Sequence, residues 1–399
     1  PIDSPAFGNL TGYLSSQFGA SELESSQNDI LNGSDDSLMK QNWLDTLADK
    51  PKQGANVEVT IDPALQQAAY DQLVGPGYEG SAVAIQPSTG KVLAMASNPG
   101  YNPNDLMGDS AEDNWANLQE QEGQPLVNHA GAETLPPGSI FKIITTAAGL
   151  NNGFDPSSTL TGSNVITLPD TVTELTNYAN QKCNGQDSVT LQTAFALSCN
   201  TAFVEMSEQI GADELRKYAK AFGVGENYDL GVSTSGGTLG DLPDGAATAQ
   251  SAIGQRDVTM TALQAAVMAG TVANKGTRMQ PYLVNRITDA QMKDVRTTKP
   301  KKADQAVNEE TAATLTDLMY ASERSSWGYD GNGFASKTGT AEHGEGLAPH
   351  VWYVAFDPER DIAVGVVVKN GGNLGESATG GKVSGPIGRA ILRAYQGEQ

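Results

Sequence analysis

Short apolar runs separated by turn residues occur near both ends of the chain and predict strands. The stretch "SAVAIQPSTGKVLAMAS" (81–97) has two apolar runs around a Pro-Ser-Thr-Gly turn, which predicts a β-hairpin. Near the other end, "HVWYVAF" and "IAVGVVVK" flank "DPERD" and predict a second hairpin, with "FASKTGTAE" (334–342) as a strand just before it. One sheet must therefore combine strands that are distant in the chain, with helices packed on it.

Helical patterns fill the region between these strands. The stretch "VEVTIDPALQQAAYDQL" predicts a strand and then a helix, with Asp62 as N-cap and Pro63 at the first helical position. A long, acidic, loop-like stretch follows the first hairpin (98–133), and helical segments dominate after it. The last of these, "TALQAAVMAGTVANKG", is expected to end on Gly276.

The beginning of the chain has a different composition. Residues 1–55 are polar and rich in Ser, Asp and Gln, so we expect them to have little core of their own and to be the end of a module that began upstream. "KPKQGAN" (50–56) is typical of a linker. The sequence therefore predicts an N-terminal remnant with its linker over 1–55 and one large domain over 56–399.

Composition narrows the classes of function. The net charge of −22 over 399 residues argues against binding to nucleic acid or to anionic membrane surfaces. No apolar run approaches the roughly 18 residues of a membrane span, and no signal peptide is present. Either the protein is cytoplasmic or an N-terminal segment has been removed.

Cysteine and histidine are scarce. Cys183 and Cys199 would be free thiols in a cytoplasmic protein and a candidate disulfide in an oxidising compartment. Neither has a Cys-x-x-Cys partner or a nearby histidine, so we expect no metal site. With three histidines there are few candidates for a Ser-His-Asp triad, and no phosphate-binding or dinucleotide-binding motif appears, so no cofactor is expected.

A serine and a lysine three residues apart stand at the start of a predicted helix. In "TLPPGSIFK", two prolines and a glycine precede Ser139, and "SIFKIITTAAGL" is apolar around most of its circumference, which predicts a buried helix. Ser139 would lie in its first turn, with Lys142 on the same face. Burial lowers the pKa of a lysine, and a neutral amine beside a serine hydroxyl can take its proton.

The same spacing occurs at Ser37–Lys40 and Ser88–Lys91, where it is expected by chance. The first copy lies in a polar stretch and the second in a hairpin turn. Only the copy at Ser139 has a helix start before it and a buried face around it.

Two further motifs are weak when taken alone. Ser198–Asn200 follows an apolar helical stretch, and a serine and an amide there could relay a proton and hold a carbonyl, although Ser26–Asn28 has the same spacing. Lys337–Thr340 is "KTGT" in the strand before the second hairpin. On an edge strand, Gly339 would let a substrate backbone come close, and free N–H groups would pair with an extended peptide.

Together, in this order, the three motifs resemble those of the serine penicillin-recognising family of transpeptidases, carboxypeptidases and β-lactamases. The stretches "PLVNHAGAETLPPGSIFKIITTAAGL", "LSCNTAFVEM" and "AIGQRDVTMTALQAAVMAGTVANKG" are similar to class B penicillin-binding proteins, the monofunctional peptidoglycan transpeptidases, and most of all to the actinobacterial A type. "FGNLTGYLSSQFGASELESSQNDILNG" resembles the end of that family's dimerisation module. His129 departs from the pattern, because the family more often has arginine there.

The resemblance implies an α/β (α+β) fold with a mainly antiparallel five-stranded sheet and helices on both faces. It also implies roles by position. Ser139 would attack the D-Ala-D-Ala carbonyl of a stem peptide, and Lys142 would be its general base. Ser198 and Asn200 would carry the proton toward the leaving group and orient the substrate amide.

The resemblance assigns the third motif to substrate binding. Lys337, Thr338 and Thr340 would hold the terminal carboxylate, beside the close approach that Gly339 permits. The backbone N–H groups of Ser139 and Thr340 would form the oxyanion hole.

As partners, the resemblance implies peptidoglycan stem peptides, β-lactams that acylate the enzyme, and a membrane glycosyltransferase. It places the protein at the extracytoplasmic face of the cell membrane, anchored by an N-terminal segment outside this chain, with a role in cell division or cell shape. A D,D-carboxypeptidase, a β-lactam sensor and a serine esterase stay open as alternatives. A β-lactamase is a further one, but no deacylating glutamate follows the second motif, and "ELTN" (174–177) is expected to be a loop.

A wall-side location would permit a disulfide between Cys183 and Cys199. If Ser198 and Asn200 face the cleft, Cys199 points away from it, toward the loop that carries Cys183. We therefore predict a bond that braces the second motif.

Overall fold

A computed structural model describes residues 4–38, 53–344 and 346–397. Lys40 and the first part of the predicted linker lie outside the described residues. The described helices are α1 (Gly8–Thr11), α2 (Glu22–Ser26), α3 (Asn28–Leu31), α4 (Pro63–Val74), α5 (Ala111–Glu120), α6 (His129–Ala132), α7 (Lys142–Leu150), α8 (Leu191–Leu197), α9 (Asn200–Ala221), α10 (Gly245–Ala252), α11 (Ala262–Ala273), α12 (Glu309–Ser325) and α13 (Ser384–Ala394).

The strands fall into one large sheet and several small ones. They are β1 (Leu14–Ser15), β2 (Gly19–Ala20), β3 (Asn56–Val59), β4 (Gly80–Ile85), β5 (Val92–Asn98), β6 (Thr159–Thr161), β7 (Val165–Thr167), β8 (Glu174–Thr176), β9 (Ser188–Thr190), β10 (Thr277–Met279), β11 (Val284–Thr288), β12 (Asp294–Thr297), β13 (Lys302–Gln305), β14 (Ala335–Ala341), β15 (His350–Asp357) and β16 (Ile362–Val368).

The large sheet has the order β14-β15-β16-β4-β5 and is antiparallel throughout. Both predicted hairpins, β4–β5 and β15–β16, are confirmed, and they are joined through β16 and β4. The strand that carries "KTGT" is β14, and it forms one edge of the sheet. The five-stranded antiparallel sheet built from both ends of the chain is therefore confirmed.

Helices cover both faces of this sheet, as predicted. Helix α11 packs on one face, and α7 and α9 belong to the same apolar core. Helices α4 and α13 pack on the other face, in a second core. The strands between them are buried on both sides, which explains why their sequences are apolar runs rather than alternating patterns.

Several local predictions were wrong. The stretch 98–133 is not only loop, because it contains α5 and α6. The region between α7 and α8 is not helical and forms two short strand pairs, β6–β9 and β7–β8. Helix α11 ends at Ala273, three residues before Gly276, which has the positive φ of a turn after the helix. These errors share a cause, because short strands and caps depend on contacts made outside the local sequence.

The N-terminal residues contribute to the main cores of the large domain. Phe7 and Leu10 are buried, in the second and the first core respectively. Gln66 of α4 donates to Ala6 O (2.6 Å) and to Met95 O (3.0 Å), so it joins the N-terminal segment to β5. This segment is therefore packed into the large domain.

Strand β3 does not join the large sheet. It pairs with β11 in a three-stranded sheet that also contains β12. The small apolar cluster beneath this sheet includes Ile30, Leu38, Ala55 and Ile287, which come from both sides of the undescribed stretch 39–52. The position of a boundary near residue 55 therefore stays a prediction.

Candidate active site

Ser139 lies in a tight turn rather than in the first turn of an α-helix. Gly138–Phe141 is a 3₁₀ turn, and the α-helix begins at Lys142. The backbone of Gly138 has a φ of +52°, and its N–H donates to Gly254 O (2.9 Å). A Cβ atom at Gly138 would lie 2.7 Å from Thr340 O, so glycine is required for this close approach.

Gly254 is a functional position to which the sequence analysis gave no role. A Cβ atom there would lie 2.1 Å from Gly138 O, so a side chain would push the serine turn away. The signal available in the sequence was the glycine of "AIGQRD", but no local pattern connects it to Ser139.

Strand β14 approaches the serine turn closely because two further glycines, Gly339 and Gly380, have no side chain. A Cβ atom at Gly339 would lie 2.7 Å from Pro137 O, and one at Gly380 would lie 2.6 Å from Gly339 O on the other face of the strand. Trp352 of β15 donates from Nε1 to Pro136 O (2.8 Å). These contacts fix the distance between "KTGT" and the serine.

Lys142 is fully buried and faces the second motif. Its Nζ donates to Ser198 O (2.7 Å) and Asn200 Oδ1 (2.8 Å), and lies 3.4 Å from Ser198 Oγ. Among the described residues, no hydrogen bond joins Lys142 to Ser139, which lies one turn before it. The structure therefore brings Lys142, three residues after Ser139, into the second motif.

The electrostatics of Lys142 favour a neutral amine. Burial lowers the pKa of Lys142 well below its ordinary value, and the nearby charge of Lys337 lowers it further. A neutral amine has two hydrogens and one lone pair. The carbonyl oxygens of Ser198 and Asn200 can only accept, so they take the two hydrogens and leave the lone pair for a hydroxyl proton.

The second motif begins with a residue in the left-handed conformation. Ser198 ends α8 with a φ of +61°, and α9 begins at Asn200. The side chain of Asn200 donates to Thr176 O (3.1 Å), while Thr201 N donates to Asn177 Oδ1 (3.0 Å). Since Asn200 Oδ1 also accepts from Lys142 Nζ, the Asn200 amide is held at both ends.

The stretch "ELTN" is not a loop, contrary to the expectation from the sequence. Glu174–Thr176 forms β8, and the Thr176 and Asn177 groups just described brace the second motif from behind. Glu174 itself is exposed. Its neighbours therefore support the motif, while the glutamate points to solvent.

A disulfide joins Cys183 to Cys199, with 5.7 Å between their Cα atoms. Both residues are buried. Because Cys199 lies between Ser198 and Asn200, the bond ties the second motif to the segment after β8.

Lys337 is also fully buried, and it reaches the second motif from the strand. Its Nζ donates to Ser198 Oγ (2.9 Å) and to Thr338 O (3.0 Å). Burial lowers its pKa to about 7. Thr338 and Thr340 are partly exposed at the strand edge, so the two threonines, more than the lysine, are open to a ligand.

In the described residues, the serines of the other copies of these spacings make different contacts. Ser88 hydrogen-bonds to Asp361 in the hairpin turn, with 3.1 Å from its backbone N to Oδ1. Ser37 N donates to Asp35 Oδ1 (2.8 Å), and Lys40 lies outside the described residues. Ser26 donates to Gly231 O (2.6 Å) and is a surface contact of α2.

His129, at a position where the family more often has arginine, is buried in α6, which precedes the serine turn in the sequence. Its Nδ1 lies 3.0 Å from Glu133 Oε2, and its Nε2 lies 2.9 Å from Gly123 O. Lys369 at the end of β16 donates to the same Glu133 (2.7 Å). A charged cluster therefore connects the segment before Ser139 to the sheet.

Residues 80–393 match the family described as the penicillin binding protein transpeptidase domain, and residues 2–57 match the penicillin binding protein A dimerisation domain. The peptidoglycan D,D-transpeptidase PbpA of Mycolicibacterium smegmatis is 43% identical, over 98% of this chain and 82% of that protein. PbpA of Mycobacterium tuberculosis is 41% identical, over 98% of this chain and 83% of that protein.

Solved structures show the same similarity. Penicillin-binding protein A from M. tuberculosis, as a penicillin G acyl-enzyme complex, has a TM-score of 0.93 and 40% identity, covering 98% of this chain and 92% of that one. A D,D-transpeptidase domain from Eggerthella lenta has a TM-score of 0.83 and 27% identity, covering 99% and 91%. In the described part of this chain, no helix has the length and apolar character needed to cross a membrane.

Proposed function

The chain belongs to the penicillin-binding protein transpeptidase family, and on that premise we propose that it is a peptidoglycan D,D-transpeptidase that works through a serine acyl-enzyme. The observation that carries the proposal is the continuous hydrogen-bonded chain from Lys142 through Ser198 to Lys337, which begins three residues after Ser139. Two buried lysines and a serine that reach the turn of a second serine can move a proton in both directions of an acyl transfer.

In the acylation step, Ser139 Oγ forms a bond to the carbonyl carbon of the penultimate D-Ala, and its proton goes to the neutral amine of Lys142. The bond from that carbon to the nitrogen of the terminal D-Ala then breaks. The proton passes from Lys142 through Ser198 Oγ to the leaving nitrogen, so D-Ala departs as an amine. The product is an ester between Ser139 and the stem peptide.

In the transfer step, the amine of a second stem peptide attacks this ester. Its nitrogen forms a bond to the acyl carbon, the ester bond breaks, and a proton from the amine returns to Ser139 Oγ by the same route. A β-lactam follows only the first half, because its leaving nitrogen stays tethered to the acyl group. It therefore blocks the place of the incoming amine.

We assign the oxyanion hole to the backbone N–H groups of Ser139 and Thr340. Supporting this, Ser139 lies in the first residues of the 3₁₀ turn that precedes α7, where N–H groups have no partner within the turn. In a strand, the N–H and C=O of one residue point the same way, and Thr340 O faces the turn of Gly138. Removing one such donor from an acyl-transfer site typically costs about 10²–10³-fold in rate.

A β-lactamase activity is one alternative, and the environment of Glu174 disfavours it. In class A members of the superfamily, a glutamate activates the water that deacylates the enzyme. Glu174 is exposed, and neither Lys142 nor Lys337 forms an ion pair with a carboxylate in the described part of the chain. We therefore expect a long-lived acyl-enzyme.

Covalent labelling with fluorescent penicillin tests the function. Ser139→Ala should abolish labelling, whereas the matched substitution Ser88→Ala should leave it intact. The label on the wild-type protein should persist for many minutes. Labelling that survives Ser139→Ala would refute the assignment of the nucleophile, and loss of label within seconds would favour a β-lactamase.

The site of action and the partner follow from the proposed substrate. We propose that the enzyme acts at the extracytoplasmic face of the membrane, where stem peptides are cross-linked. We also propose a membrane glycosyltransferase as the partner that supplies nascent strands. Copurification of this protein with a membrane glycosyltransferase would test the proposed partner.

A further inference from the structure

A buried acidic residue, Glu323, contacts the face of β14 that points away from the cleft. Glu323 lies on α12, and its side chain is 1% exposed. Arg389 of α13 donates from Nε to Glu323 Oε1 (2.7 Å), and Asn332 donates to the same oxygen (3.0 Å). The other oxygen accepts from Tyr353 OH (2.9 Å) and from Ser336 Oγ.

Ser336 connects this carboxylate to the active site. It is the residue before Lys337 on β14, and the alternation of side chains along a strand directs it to the opposite face. Lys337 then points toward Ser198, while Ser336 points toward Glu323. The hydroxyl of Ser336 is therefore the attachment of β14 to the helices behind the sheet.

Strand β14 needs such an attachment. Among the described strands, β14 is an edge strand that pairs only with β15, and most of its side chains are small, so packing alone specifies its position weakly. Tyr353 is opposite Thr338 on β15, and it shares Glu323 Oε2 with Ser336. A shift of β14 by one residue would turn the Ser336 hydroxyl away from this oxygen.

The cost of the cluster also indicates a role beyond stability. Burying an ion pair is often no more stabilising than an apolar replacement. In the described part of the chain, Arg389 Nη2 is buried without a hydrogen-bond partner, which adds to that cost. The arrangement is thus better explained by the position that it gives to β14.

We propose that Glu323 is a positioning residue for the transpeptidase: acting through Ser336, it fixes the register of β14 and so places Lys337, on the cleft face, to receive the carboxylate of the substrate. This inference rests on the proposed function. Glu323 touches neither substrate nor the reacting atoms, and its effect passes through one hydroxyl group.

Two hydroxyl deletions separate positioning from stability. Substituting Glu323 itself would leave Arg389 buried without a counter-charge and would endanger folding. Ser336→Ala and Tyr353→Phe each remove one hydrogen bond to the same oxygen, Glu323 Oε2. Only Ser336→Ala removes the bond to β14, so Tyr353→Phe is a matched control.

The readout is the ratio of acylation rates for penicillin G and its methyl ester, measured on purified full-length chain with the melting temperature of each variant. Only penicillin G has the carboxylate, so the ratio reports its placement and is independent of the folded fraction. We expect a wild-type preference for penicillin G, a loss of about tenfold in the ratio for Ser336→Ala, and a change of less than about twofold for Tyr353→Phe.

A ratio that is unchanged in Ser336→Ala would overturn the inference, as would an equal loss in both variants, because the effect would then not pass through β14. A wild-type protein that acylates equally with both compounds would also overturn it. A wild-type protein that neither compound labels would instead refute the proposed function itself.

Discussion

Basic side chains are buried on both faces of β14, but only those on the back face are paired with a carboxylate. On the cleft face, Lys142 and Lys337 are 0% exposed and have hydroxyl and carbonyl partners. On the back face, Arg389 is 3% exposed and is paired with the carboxylate of Glu323. Burial without a carboxylate lowers the pKa of a lysine, whereas pairing stabilises the charged forms.

This difference in partners determines which buried groups can change their protonation. On the cleft face, burial lowers the pKa of Lys337 to about 7, so this amine can exchange a proton near neutral pH, and burial also lowers the pKa of Lys142 well below its ordinary value. On the back face, burial acts to raise the pKa of Glu323, but the hydrogen bonds from Arg389, Ser336 and Asn332 outweigh it and hold the pKa below its ordinary value. That pair stays ionised and can act only as a fixed support.

A permanently charged side chain on the cleft face should have the largest effect on the rate of acylation. In Lys142→Arg, the guanidinium keeps its proton even when buried, so the general base is lost. We expect the rate of acylation by penicillin to fall by about 10²–10⁴-fold, measured by stopped-flow or gel labelling. Lys91→Arg, in the chance copy of the motif, is the control, and an unimpaired Lys142→Arg enzyme would show that Lys142 is not the base.

Breaking the pair on the back face should mainly reduce stability. Arg389→Met leaves the buried carboxylate of Glu323 without its counter-charge, which costs about 3–5 kcal/mol in the free energy of unfolding. Arg393→Met is a matched control one turn along the same helix, because Arg393 pairs with Asp330 while about half exposed, and we expect about 1 kcal/mol or less. Urea unfolding measures both, and equal losses would contradict the distinction between the two pairs.

The disulfide behind the second motif supports the cleft face. Opening a loop of 16 residues between Cys183 and Cys199 should lower the free energy of unfolding by about 3 kcal/mol. Because the bond lies next to Ser198 and Asn200, reduction should also slow acylation while Ser139 is intact. Mass spectrometry of the unreduced, alkylated protein is the check, and two reactive thiols in the native protein would exclude the bond.

The rate of acylation should first rise and then fall with increasing pH, because each of the two lysines of the cleft face controls one side of the profile. Protonated Lys142 cannot accept a proton, so acylation should rise by about tenfold per pH unit below its pKa. Burial lowers the pKa of Lys142 well below its ordinary value, and the charge of Lys337 lowers it further, so we expect the rising limb to report Lys142. Above about pH 7, Lys337 loses the charge that attracts the carboxylate, and the rate should fall.

Substituting one lysine identifies the limbs. Lys337→Gln should remove the falling limb and keep the rising one, because only Lys142 then titrates. A profile that stays flat through neutral pH in the wild-type enzyme would mean that neither lysine changes its protonation there.

Much of the site was predictable because its signals are local. The spacing of Ser139 and Lys142 at a Pro-Gly helix start, the "SCN" and "KTGT" triplets, and the two hairpins each depend on a few neighbouring residues. Local turn chemistry and apolar periodicity act over such distances. The order of these motifs along the chain was sufficient for the resemblance to the family.

Only the tertiary structure decided how the motifs meet. Lys337 and Ser198 are 139 residues apart, and their contact arises because β14 closes one edge of a sheet assembled from both ends of the chain. The same closure brings Gly254 and Gly380 against the serine turn and the strand, and Glu323 beneath Ser336. A sequence records which side chains can do chemistry, but burial and partners depend on atoms that are distant in the chain, and these determine which lysine is buried without a carboxylate and which charge is paired.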